Sequence, residues 1–126
     1  MPKYGFADSD WERAKDEAVE VLRAVARGEK TIAYSELSTR LVAIRLDPHS
    51  HAMRAFLGEI STAEEQHGRG MLSVVVVYRH GDQMPGPGFF ELARSLGYRF
   101  TDETTFWVEH LKAVYRAWSP QGPSGS

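Results

Sequence analysis

A run of apolar residues in the middle of the chain, LSVVVVY at positions 72–78, constrains the fold more than any other feature. It contains four consecutive valines, whose branched side chains favour extended backbone. A strand without polar alternation is covered on both of its faces. We therefore predict a buried β strand over residues 72–78.

The segment MPGPGFF at positions 84–90 follows that strand. Its prolines fix the backbone angle φ, whereas its glycines relax it, which indicates a defined corner rather than a loose loop. The corner is expected to return Phe89 and Phe90 towards the core. Two placements of Phe89 stay open: both phenylalanines close the core, or Phe89 lies exposed beside the corner.

Length and composition bound the class of protein. With 126 residues, 42% hydrophobic and 25% charged, the chain is predicted to form one domain over residues 1–118 and a disordered polar tail over residues 119–126. It has no cysteine, which excludes disulfides and cysteine zinc sites. No apolar stretch approaches the ~20 residues that span a bilayer, and the N-terminus lacks a signal-peptide core. We expect a cytoplasmic protein that does not enter a membrane.

Apolar residues recur at helical spacing in five other segments. The predicted helices are residues 9–28, 35–46, 47–60, 90–97 and 102–118, with a short strand at 31–34. The end of the third helix stays open, because residues 62–65 could extend it. Ser9, Ser35 and Asp47 are the expected caps at the starts of the first three helices. Trp11 and Trp118 lie on apolar stripes of the first and last helices, as does Trp107, so all three are predicted core residues and the two helices are expected to pack together.

The order helix, short strand, helix, helix, long strand and return segment is that of a winged helix-turn-helix. We predict an α+β fold of this type, rich in helix, with a small sheet and two extra C-terminal helices. In such folds the third helix lies in the major groove of DNA, and the wing contacts the backbone or the minor groove.

This topology predicts a nucleic-acid-binding (DNA-binding) or regulatory protein without enzymatic activity. The net charge of −2 gives no overall basic field, but arginines and histidines around positions 40–54 and 69–80 are expected to form one basic face opposite an acidic first helix. His51 and Arg54 are predicted to face bases. The predicted phosphate-binding and wing residues are Arg45, His49, Ser50, Arg69, Arg79 and His80. The alternative is a solvated or protein-binding face.

Residues 34–97 resemble a small family of bacterial and phage proteins that share a pattern close to GRGMLSVVVV…MPGPGFFELARSLG, with a later FW before the last helix. That resemblance implies neither an activity nor a ligand. The chain also resembles, more loosely, the DNA-binding domain of alkyltransferase-like proteins, through Tyr34, Arg54, RHG at 79–81 and Pro85-Gly86. This second resemblance implies a similar fold. The Pro-Cys-His-Arg active-site motif is missing, so alkyl transfer is excluded.

Two other functions stay open. The first is an adaptor that binds a protein partner, or a second copy of this chain, through the corner at residues 84–90. Its predicted contact residues are Pro85, Pro87 and Phe89, because an exposed ring on a rigid loop anchors a partner well. The second is a small hydrolase whose site no sequence motif identifies.

The sequence offers no motif for catalysis, metal binding or cofactor binding. Ser73, inside the predicted strand, is expected to bond a backbone carbonyl rather than act as a nucleophile. The five histidines include no HExxH pair, and His110 is expected to be partly exposed on the last helix. No glycine-rich loop fits a dinucleotide-binding or Walker pattern. We therefore predict no catalytic residue, no metal and no cofactor.

Overall fold

The computed structural model describes residues 3–79, 81 and 83–119. In chain order the elements of this part are α1 (Asp8–Arg27), β1 (Ile32–Ala33), α2 (Tyr34–Arg40), α3 (His51–Gln66), a 3₁₀ helix (Leu72–Val75), β2 (Val76–Val77), α4 (Pro87–Ser95) and α5 (Glu103–Trp118). The helix-rich α+β class with a small sheet is confirmed. No helix in the described part is both long and apolar enough to cross a membrane. The predicted tail lies outside the described residues, apart from Ser119.

The apolar run at residues 72–78 is buried almost throughout, but the prediction that it forms one strand is wrong. Residues 72–77 are at most 5% exposed, whereas Tyr78 is 39% exposed. Only the two residues of β2 pair with another strand, and they pair in parallel with β1. The four residues before β2 turn as a 3₁₀ helix instead.

Side chains supply the hydrogen bonds that a longer strand would obtain from a neighbouring strand. The N–H of Ser73 donates to Oγ of Ser61 on α3 (2.9 Å), and Nε1 of Trp107 on α5 donates to the carbonyl of Val74 (2.9 Å). These buried backbone groups are therefore satisfied without a strand partner. The preference of valine for extended backbone is too weak to impose a strand under these conditions.

The 3₁₀ helix lies at the centre of the core, with α1, α3 and α5 packed around it. Trp11 on α1 is fully buried and meets Phe56 of α3 edge-to-face, with 5.2 Å between the ring centroids. Trp107 and Trp118 are half-buried and pack against the same core. The predicted packing of the last helix against the first is confirmed.

Helix α3 is capped by Ser50 rather than by Asp47. The Oγ of Ser50 accepts the N–H of Met53 (3.1 Å), while the carboxylate of Asp47 closes a turn in the preceding loop. The helix then continues to Gln66, so it includes the extension over residues 62–65 that the sequence left open. The two predicted serine caps of α1 and α2 are likewise wrong, since each helix begins before its serine.

Candidate functional site

A half-open cavity of about 90 Å³ lies where the N-terminus of α3 faces the corner at residues 84–90. Its lining includes the three aromatic residues Tyr34, His49 and Tyr78 together with Arg54. Aromatic walls with a few polar groups are typical of ligand pockets, which usually enclose about 300 Å³ or more, so this smaller cavity has room for only part of a large ligand. This cavity is therefore the candidate site.

The sheet brings two of these rings together. Because β1 and β2 are parallel, with Ala33 opposite Val77, the residues that follow them, Tyr34 and Tyr78, leave the same edge of the sheet. Their ring centroids lie 5.2 Å apart, and that of His49 lies 5.9 Å from that of Tyr78. Tyr78 is missing from the residues predicted from sequence. The sequence feature that could have identified Tyr78 is its position directly after the valine run.

Tyr34 is held in position by the corner. Its hydroxyl oxygen accepts the N–H of Gly86 (2.8 Å). Burial is the largest influence on its ionisation and raises the pKa of Tyr34. The side chain therefore stays a neutral hydroxyl and presents an uncharged ring to the cavity.

The glycines of the corner leave room for two side chains of the cavity wall. A Cβ on Gly86 would lie 2.6 Å from the hydroxyl oxygen of Tyr78, and a Cβ on Gly88 would lie 2.7 Å from Nε of Arg54. Such distances are shorter than any ordinary van der Waals contact. A side chain at either position would therefore displace its neighbour, and the PGPG motif is what allows Tyr78 and Arg54 to lie against the backbone.

Arg54 lies on the first turn of α3 with its side chain 51% exposed. Its Nη1 is 3.5 Å from Oε2 of Glu91, whose side chain is 67% exposed. An exposed ion pair of this kind contributes little to stability. A phosphate oxygen that approached the cavity could therefore replace Glu91 as the partner of Arg54 at small cost.

The structure brings together four of the residues predicted to bind nucleic acid. His49, Ser50 and Arg54 line the cavity, and Arg79 lines an adjoining groove with His49. The hydroxyl of Ser50 is already engaged, since it donates to the carbonyl of Asp47 (2.8 Å) and accepts the cap bond of α3. Ser50 therefore contributes to the cavity mainly by starting the helix there.

The other predicted contact residues lie elsewhere. His51 on the first turn of α3 and Arg45 in the loop before it are exposed but do not line the cavity. Arg69 follows the opposite end of α3, where its Nε pairs with the buried carboxylate of Glu64 (2.5 Å). The expectation of one basic face that includes Arg69 is therefore wrong, because Glu64 holds it at the far end of the helix. His80 lies outside the described residues.

The corner does not present the aromatic contact that the adaptor hypothesis needs. Phe89 is 6% exposed, and its ring centroid lies 5.2 Å from that of Phe90. Pro85 is also buried, whereas Pro87 is exposed. Of the two placements that the sequence left open, the exposed Phe89 on which the adaptor hypothesis depends is wrong, and both phenylalanines close the core. Of the three residues predicted to bind a partner, only Pro87 is on the surface.

Ser73 is paired with a second serine. Ser61 Oγ accepts its N–H (2.9 Å) and donates to its Oγ (2.6 Å), in place of the expected bond to a backbone carbonyl. His110, expected to be partly exposed, is 7% exposed. In the part of the chain that the structure describes, no three histidine, aspartate or glutamate side chains are placed to hold a metal ion.

Three rings, one guanidinium group and the N-terminus of a helix thus converge on one cavity. Ring faces stack on flat heteroaromatic groups, while guanidinium and helix N–H groups bind phosphate oxygens. The arrangement suits a ligand that joins a planar ring system to a phosphate. Comparisons of the chain with protein-family models, with curated proteins and with solved structures found no match.

Proposed function

We propose that this protein binds DNA through the cavity at the N-terminus of α3. The observation that carries the proposal is the convergence of Tyr34, His49 and Tyr78 with Arg54 at one cavity. A nucleotide matches this set of groups, because its base stacks on aromatic faces and its phosphate pairs with a guanidinium or a helix N-terminus. The protein acts in this proposal by binding rather than by catalysis.

In this proposal the protein binds DNA as a winged helix-turn-helix. Helices α2 and α3 take the positions of the helix-turn-helix pair. The loop after β2, where the N–H of Tyr78 donates to the carbonyl of Met84 (2.9 Å), takes that of the wing. The N-terminal part of α3 then meets the DNA groove. His51, exposed on the first turn of α3, and Arg45, exposed in the loop that precedes this helix, supply further contacts in this proposal.

Fluorescence anisotropy with labelled DNA tests this function. We expect the protein to bind a random duplex and a single strand at low salt, and to lose affinity steeply as salt rises, because phosphate contacts release counterions. Absence of binding to both probes at low ionic strength would reject the proposal. Binding that salt does not weaken would reject the phosphate contacts.

Replacing Arg54 with alanine is expected to weaken DNA binding about tenfold, or about 1.4 kcal/mol, because it removes the guanidinium group from the cavity. The matched control is Arg13→Ala on α1, which removes an exposed arginine that pairs with Asp10 of its own helix (3.2 Å). The control should keep wild-type affinity. An equal loss in both variants would assign the effect to overall charge and remove Arg54 from the site.

Replacing Gly88 with alanine tests the position of Arg54 without changing its charge. The new Cβ would lie 2.7 Å from Nε of Arg54 and force that side chain away from the corner. Gly88 lies within α4, whose backbone accepts alanine, so the melting temperature should stay near that of the wild type. We expect a several-fold loss of DNA affinity. Wild-type affinity in Gly88→Ala would contradict the assigned role of Arg54.

A further inference from the structure

Three guanidinium groups surround the indole ring of Trp118 near the end of α5. The Cζ atoms of Arg23, Arg69 and Arg27 lie 4.8, 5.3 and 5.7 Å from the ring centroid, respectively. Arg23 and Arg27 come from α1, and Arg69 comes from the segment after α3. We call these four residues the Trp118 arginine cluster. Cation–π contacts attract each guanidinium to the ring but leave its charge in place.

Direct ion pairs neutralise only part of the positive charge of the cluster. Glu64 is 5% exposed and pairs with Nε of Arg69 (2.5 Å) and with an Nη atom of Arg23 (3.5 Å). One carboxylate therefore serves two arginines. Among the residues that the structure describes, no carboxylate pairs with Arg27. Three guanidinium groups around one ring, with one directly paired carboxylate between them, repel one another, and a bound anion would relieve that repulsion.

Two buried donors of the cluster also lack an acceptor. In the described part of the chain, Nε of Arg23 and Nε1 of Trp118 are covered from solvent and form no hydrogen bond. A buried N–H without an acceptor is unfavourable, so such groups usually indicate a missing partner. The partner must carry acceptor oxygens, because both groups are pure donors.

We propose that the Trp118 arginine cluster binds a phosphate group. A phosphate oxyanion supplies several acceptor oxygens and negative charge together, and its geometry matches the planar donor fork of arginine. The site does not depend on the DNA-binding cavity. It lies at the opposite end of α3, a helix of 16 residues and therefore about 24 Å long. Arg69 binds phosphate in this proposal, as the sequence predicted, but in a second place.

Titration of the ¹⁵N-labelled full chain with inorganic phosphate, at constant ionic strength, tests the proposal by NMR. The three indole N–H groups act as separate reporters, since Trp11 donates to Glu59 and Trp107 donates to the carbonyl of Val74. We expect a saturable shift of the Trp118 signal, with the other two unmoved. No saturable shift, or the same shift with chloride in place of phosphate, would overturn the proposal.

The variant Arg27→Gln distinguishes phosphate binding at the Trp118 arginine cluster from attraction of phosphate to the overall positive charge of the protein surface. Arg27 is exposed on the last turn of α1, so its removal should leave the fold intact. We expect the phosphate affinity to fall at least fivefold. The matched control is Arg13→Gln near the other end of α1, which should bind phosphate like the wild type. Equal affinities in the wild type and Arg27→Gln would also overturn the proposal.

A second titration distinguishes the source of the phosphate. A short single-stranded DNA that shifts the Trp118 signal, and that inorganic phosphate displaces, would identify a nucleic-acid backbone as a ligand of the cluster. A shift with inorganic phosphate but not with DNA would identify a free phosphate group. DNA binding that leaves the Trp118 signal unmoved leaves the proposed function of the α3 cavity intact, so the two proposals fail separately.

Discussion

Replacing Phe89 with alanine is expected to lower the free energy of unfolding by about 3–5 kcal/mol, the usual loss for a phenylalanine removed from a core. Phe89 is 6% exposed, and its ring lies against those of Phe90, Phe106 and His110, with centroid distances of 5.2, 6.1 and 6.2 Å. Alanine would leave a cavity between α4 and α5 that these rings cannot fill. Urea unfolding followed by circular dichroism measures the change.

Two further variants make the Phe89 experiment decisive. Phe89→Leu keeps most of the buried volume and should lose less than about 1.5 kcal/mol. Val42→Ala removes an apolar side chain that is 86% exposed and should stay within about 0.5 kcal/mol of the wild type. If Phe89→Ala behaved like Val42→Ala, the ring would lie outside the core, and the adaptor hypothesis would regain its aromatic anchor.

The valine run shows which part of a fold a sequence pattern specifies. Seven nearly continuous apolar residues predicted burial, and residues 72–77 are buried. They did not specify the backbone conformation. A segment covered on all sides lacks the alternation of polar and apolar residues that distinguishes a strand from a helix. Its conformation depends on distant donors and acceptors, such as Ser61 and Trp107, which no local pattern connects to it.

The candidate site likewise has one part that the sequence predicted and another part that it did not. Arg54 and His49 were predicted from sequence because both lie within a few residues of the start of α3, which the helical pattern located approximately although it placed the cap at Asp47. Tyr34 and Tyr78 meet only because β1 and β2 pair in parallel, which is a contact between residues more than 40 positions apart. The corner glycines could be recognised as a turn signal, but their role as space for Tyr78 and Arg54 required the packed structure.

His110 shows how a polar residue type misleads. It follows Trp107 by one helical turn and precedes Val114 by another, so it lies on the apolar stripe of α5. Its chemistry nevertheless indicated exposure. The structure buries it, because Nε2 accepts the N–H of Met71 (2.9 Å), a backbone group that would otherwise be unsatisfied at the entrance to the 3₁₀ helix.

Replacing His110 with leucine is therefore expected to lower the free energy of unfolding by about 1–3 kcal/mol at neutral pH, because the buried N–H of Met71 loses its acceptor. His110→Gln is the matched control. It offers a carbonyl oxygen to the same N–H and does not ionise near neutrality. The glutamine variant should therefore retain more of the wild-type stability than the leucine variant.

The same bond makes the wild-type fold sensitive to acid. Burial lowers the pKa of His110, and the nearby Glu65 opposes this only in part. An unfolded histidine has a pKa of about 6.5, so the folded state binds fewer protons than the unfolded state just below that pH. The contribution of His110 is complete above about pH 6.5, and it is lost as the pH falls through the unfolded value towards the lower folded one.

Urea unfolding at about pH 7 and about pH 5 measures this loss, in a range where histidine is the side chain that ordinarily titrates. Burial raises the pKa of Glu59, but the hydrogen bonds from Trp11 and Lys15 outweigh it and lower the pKa from 4.5. Glu59 therefore titrates below that range. The wild type should lose stability between the two pH values, and His110→Gln should lose less. An equal loss in both proteins would assign the acid sensitivity to other groups, and no loss in the wild type would show that His110 is not held neutral by burial.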